Sequence, residues 1–124
     1  MALTLDPRYL QYFELYRQEK FFEAHEVLEG LWRETKGETR DFYHGLIQLA
    51  AALVHFQKGN LPGAKELFRT ASGYLKPYLP SYEGVALSQV SKEFETFLEV
   101  WSKNAEKPLL AREFLPRVTL QKGK

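Results

Sequence analysis

The chain has 124 residues, no cysteine, three histidines (His25, His44 and His55), and 17 Lys and Arg against 16 Asp and Glu, a formal charge of +1. The missing cysteine excludes disulfide scaffolds and thiolate metal sites. The near balance of charge argues against a dedicated nucleic-acid binder, which carries a clear basic excess. Hydrophobic residues at 44% and aromatics at 15% suit one folded domain rather than a disordered chain.

The longest stretch without Asp, Glu, Lys or Arg is Phe42 to Gln57. It is short for a bilayer and contains two His, two Gln and a Gly, so no membrane span is expected. The opening Met-Ala-Leu-Thr-Leu-Asp lacks the basic start and apolar run of a signal peptide. A soluble cytoplasmic protein is the expectation, and the absence of cysteine fits it.

Asp6-Pro7 reads as an N-cap and first helical residue, opening a helix to about Glu19 with Leu10, Phe13 and Tyr16-Arg17 as a partial apolar face. A second helix runs from about Phe21 to Thr35, with Phe21, Ala24, Val27, Leu28, Leu31 and Trp32 at helical spacing. Lys36-Gly37 ends it. A third runs from about Asp41 to Lys58, stopped by Gly59; Asn60 then caps a fourth, with Pro62 in its first turn, to about Leu75. Residues 77–86 read as a loop, since Pro77 and Pro80 cannot continue a helix. Leu87, Val90, Phe94, Phe97, Leu98 and Trp101 mark a fifth helix. The tail has little periodicity, but Leu109, Leu110, Phe114 and Leu115 suit packing across the bundle. No alternating run of strand length appears. The expected architecture is all-α: one compact bundle of about five helices built from antiparallel hairpins over residues 1–104, with a tail, 105–124, packed on it in part. A faint repeat at an offset of forty lays Phe13–Leu31 on Leu53–Ala71, which reflects the likeness of two amphipathic hairpins more than a solenoid.

Two stretches are distinctive. One is Phe21-Phe22-Glu23-Ala24-His25-Glu26-Val27-Leu28-Glu29, followed by Trp32. The other is Gly45-Leu46-Ile47-Gln48-Leu49-Ala50, followed by His55 and Gly59-Asn60-x-x-Gly63-Ala64. Together, over about Tyr16 to Leu75, they resemble the prokaryotic domain of unknown function family numbered 309. The resemblance implies a compact all-helical domain. It marks His25, Glu26, Glu29, Trp32 and Gln48 as motif positions without assigning them a reaction, and nothing carries over to the tail.

On a wheel of 100° per residue, His25 sits at the edge of the apolar stripe of the second helix, with Glu29 one turn later and Glu26 further round. The third helix is apolar nearly all round, which expects a central place. Its polar strip is His44, Gln48 and His55. The short loop between the two helices makes them antiparallel. Counting from it, Glu29 lies level with Gln48, His25 between Gln48 and His55, and His44 beside Trp32. The expectation is a buried polar cluster of His25, Glu29, Gln48 and His55, with Trp32 adjoining.

His44 and His55 stand about 16 Å apart along a helix and cannot share an ion. The best set for a divalent metal is therefore His25, Glu29 and His55, with Glu26 as a further ligand or general base. His25 to Glu29 is not the His-Glu-x-x-His zincin motif, and the two Glu-x-x-His motifs of a di-iron bundle are missing. No G-x-x-x-x-G-K phosphate loop is present. A His–Glu–Gln network that only sets helix register explains the same residues without chemistry. The aromatic run Phe21, Phe22, Phe42 and Tyr43 reads as core.

Residues 103–124 hold six Lys and Arg against two Glu, while acids gather at Glu19, Glu23, Glu26, Glu29, Glu34, Glu38 and Asp41. The basic tail is expected to meet that acidic side, in its own chain or a neighbour's. The favoured function is an interaction or binding module for a protein or small molecule, through the flank of the first two helices, with a C2 homodimer as the default association. The alternative is a metal-dependent hydrolase-like enzyme using His25, Glu29 and His55.

Overall fold

The structure, a computed structural model, describes residues 6–121. Among these residues five helices follow one another: α1 (Pro7–Arg17), α2 (Phe21–Glu34), α3 (Thr39–Gln57), α4 (Leu61–Leu75) and α5 (Leu87–Lys103). Short 3₁₀ turns occupy Lys76–Tyr78 and Pro108–Phe114. Among the described residues there is no strand, only an isolated bridge between Tyr82 and Val85, and no helix is long and apolar enough to cross a membrane.

Local chemistry accounts for most boundaries. The Asp6 carboxylate accepts from the backbone N–H of Arg8 at 2.8 Å, and Pro7 stands where its missing N–H costs nothing. The Asn60 side chain accepts from the N–H of Gly63 at 3.0 Å and caps α4. Gly37 and Gly59 take the left-handed conformation, with φ of 91° and 71°, where the chain leaves α2 and α3. Helix α1 stops two residues earlier than its pattern suggests, at a left-handed Glu19 (φ 63°).

Consecutive helices pack against each other, and α3 is central as its all-round apolar sequence requires. It buries Phe42, Leu46, Ile47, Leu49, Ala50, Leu53 and Phe56. Gly45 lets α4 approach closely: a Cβ there would stand 2.5 Å from both Cγ and Cδ2 of Leu75. Helix α5 closes the core with aromatic contacts. Phe56 meets Phe97 and Trp101 edge-on at 5.1 and 5.0 Å, and Phe68 stacks on Phe94 at 5.2 Å.

Three sequence expectations need correction. The buried face of α1 is Tyr9, Tyr12, Phe13 and Tyr16, whereas Leu10 is 46% exposed. Each of these tyrosines donates its hydroxyl to a distant carbonyl: Tyr9 to Glu83 (2.8 Å), Tyr12 to Leu46 (2.7 Å) and Tyr16 to Pro116 (2.8 Å). A ring with a polar tip can reach a carbonyl that leucine would strand, so tyrosine takes the inner face. Second, Phe22 is not core but 54% exposed, while Phe21 and Phe42 are buried. Third, the basic tail meets the acidic group at Glu19, through Arg112, but its other partner is Glu93 on α5. The Arg117 backbone N–H donates to Glu93 at 2.8 Å, and that of Gln121 donates to the Gly84 carbonyl at 2.7 Å. The tail thus lies against its own chain, burying Ala111, Pro116 and Val118.

Candidate functional site

Helix α2 sets Phe22, His25, Glu26 and Glu29 on adjacent turns of one side. Residues 25 and 29 are four apart and 26 and 29 three apart, the spacings that make neighbours on a helix surface. One ligand atom from each of His25, Glu26 and Glu29 lies within 4.8 Å of the others. His25 Nδ1 faces a Glu26 carboxylate oxygen at 4.0 Å, too far for a hydrogen bond. That nitrogen is buried and has no hydrogen-bond partner. The exposed Phe22 ring stacks on the imidazole at 5.9 Å, and among the described residues Glu29 pairs only with Arg33 of its own helix, at 3.4 Å.

The counted register holds where α2 begins to meet α3: Trp32 lies against His44 with ring centroids 4.8 Å apart. Two partners complete this corner that sequence reasoning missed. The Arg40 guanidinium sits 4.1 Å over the indole, and Tyr74 of α4 lies 4.3 Å from the His44 ring. Arg40, His44 and Gln48 are successive i, i+4 positions, a signal that could have placed Arg40 on this flank. Tyr74 had no such signal, because only the fold brings α4 there. Burial first, and then the Arg40 charge, lower the pKa of His44 below the ordinary histidine value. The Trp32 indole N–H is buried without a partner.

The structure does not join His25, Glu29, Gln48 and His55 into a hydrogen-bonded cluster. Gln48 donates from its amide to His44 Nε2 at 3.1 Å, and Asn60 donates to His55 Nδ1 at 3.0 Å. None of the four is fully buried. Each bonded side chain takes a partner four or five residues away on its own segment, which orders less chain than a bond between helices. His55 in particular is drawn to the turn where Asn60 must stand to cap α4. The ligand set His25, Glu29 and His55 therefore does not converge. Among the described residues, the group that does is His25, Glu26 and Glu29.

Residues 9–67, which run from α1 into α4, match the family DUF309, a domain of unknown function. The resemblance read from the motifs is borne out. A relative in Bacillus subtilis (strain 168), the uncharacterised protein YpuF, is 36% identical over 81 residues. That alignment takes in 64% of this chain and 47% of YpuF, so the chain spans about half the length of that relative.

Proposed function

We propose that this chain, DUF309-like over residues 9–67, is a binding module whose recognition face is the outer side of α2. Phe22, His25, Glu26 and Glu29 form the face, with Trp32 and Gln48 behind it. One observation carries the reading: the polar residues of the motif do not hold the helices together. Side chains kept for register would bridge α2 and α3, because buried polar groups need partners. Here Glu29 bonds within α2, Gln48 bonds within α3, and His25 Nδ1 is left without a partner.

The face combines an exposed aromatic ring with the carboxylates of Glu23, Glu26 and Glu29. That chemistry suits a basic segment of a partner protein, whose Lys or Arg would meet the carboxylates and stack on Phe22. A cytoplasmic setting belongs to the same reading, and the cysteine-free composition supports it.

A photo-reactive amino acid placed at Phe22, and as a control at Glu95 on the exposed side of α5, tests this in native cells. A partner should cross-link from position 22 and not from position 95. The yield should drop when Glu26→Gln and Glu29→Gln are combined. Equal capture from both positions, or capture indifferent to those substitutions, would reject the face. Capture of a second copy of this chain would make the partner the homodimer expected from sequence.

A further inference from the structure

We infer that His25, Glu26 and Glu29 together form a site for a divalent transition-metal ion, which the recognition face presents to its ligand. The inference rests on the reading of this side of α2 as a binding face and adds a cofactor to it.

Three observations meet at this point. The first is donor chemistry. One imidazole and two carboxylates are a mixed nitrogen and oxygen set, which suits Zn²⁺, Mn²⁺, Fe²⁺ or Co²⁺ better than the all-oxygen shell of Ca²⁺ or Mg²⁺. The second is geometry. Bonds of about 2.0–2.2 Å put two donors on one ion roughly 3 Å apart at a right angle and about 4.2 Å apart across it. The 4.0 Å between His25 Nδ1 and the Glu26 oxygen falls in that interval. The 4.8 Å span of the whole group needs only a small turn of the Glu side chains, which are 56% exposed for Glu26 and 30% for Glu29.

The third is the state of His25 Nδ1 itself. A buried ring nitrogen without a donor or acceptor leaves polar capacity unused. The gap on its Glu26 side is too wide for a hydrogen bond and wide enough for an ion. Stacking of Phe22 on the ring adds a contact that orients the imidazole. Among the described residues, Arg33 is the cation that pairs with Glu29, and this exposed 3.4 Å contact is weak enough for an ion to displace. Three ligands from adjacent turns of one helix leave coordination positions open to a side chain or small molecule from outside. With the ion bound, Glu26 and Glu29 are neutralised, so a basic partner segment meets Glu23 and Phe22 and supplies a side chain to the open positions.

The test uses the full chain stripped of metal, with Zn²⁺ followed by calorimetry and Co²⁺ by its visible absorption. One ion per chain is expected, with ligand-field bands that report nitrogen and oxygen donors. His25→Ala, Glu26→Gln and Glu29→Gln should each weaken binding by roughly tenfold or more, while His55→Gln should leave it unchanged. The two Glu variants alter exposed or half-exposed side chains, so they serve even if His25→Ala misfolds. Failure to bind either ion, or binding that these variants do not weaken, overturns the site. The two readings fail separately. A chain that cross-links its partner through position 22 but binds no ion keeps the face and loses the metal. A chain that binds the ion but no partner keeps the metal and loses the protein ligand.

Discussion

Tyr9, Tyr12 and Tyr16 show how much one atom can matter in α1. Their rings fill the core, and their hydroxyls reach the loop, α3 and the tail respectively. Removing the buried hydroxyl in Tyr12→Phe should cost about 0.5–1.5 kcal/mol, read from urea denaturation. Burial also raises all three phenol pKa values above the ordinary value near 10. The folded state therefore holds protons that the unfolded chain releases above pH 10. Stability present below that pH is lost as pH rises, by about 1.4 kcal/mol per pH unit for each tyrosine. Denaturation series between pH 9 and 11 should show this fall, and Tyr12→Phe should flatten it by one tyrosine's share. An unchanged slope would mean that the Tyr12 hydroxyl does not titrate as a buried group. The pattern of α1 pointed to Leu10, because hydrophobicity scales rank leucine above tyrosine. They cannot see that a carbonyl waits on the inner side.

At the scale of helices, the contact of α3 with α4 turns on a single glycine. Gly45 is buried under Leu75, and its missing Cβ is the space in which Leu75 lies. Gly45→Ala should destabilise the protein by about 1–2 kcal/mol, overpacking outweighing the gain in helix propensity. A Cβ added to Gly73 of α4 would meet nothing within 4 Å, so Gly73→Ala should stabilise by up to about 1 kcal/mol. Opposite shifts in thermal midpoint would check the pair; two shifts of the same sign would refute the close approach. Much at this scale was legible in the chain: both caps, the central place of α3, and the level of Trp32 against His44. The partners of Gln48 and His55 were not legible. A helix wheel gives direction, but it does not tell which of several reachable partners orders the least chain. For both side chains that partner lay on their own segment.

For the molecule as a whole, the tail acts as a strap across α1 and α5. Cutting the chain after Leu115 removes the acceptor of Tyr16 and the buried Pro116 and Val118. A loss of about 2–4 kcal/mol is expected, from lost burial and a freed hydroxyl. Arg117→Ala should cost less than about 1 kcal/mol, because the Arg117 side chain is 79% exposed and Glu93 keeps its bond from the backbone N–H of residue 117. Chemical denaturation of the two variants would separate packing from charge, and equal losses would show that the ion pair carries the strap. The sequence by itself determined the helical class, the order and rough limits of the five helices, and the motif residues, since caps, glycines and period act over a few residues. It also excluded thiolate chemistry outright. Only the tertiary structure decided that Tyr74 and Arg40 flank His44, that Phe22 faces outward, and that His25, Glu26 and Glu29 converge while His55 turns away. Those outcomes depend on competition between partners far apart in the chain, and local pattern carries no record of which partner wins.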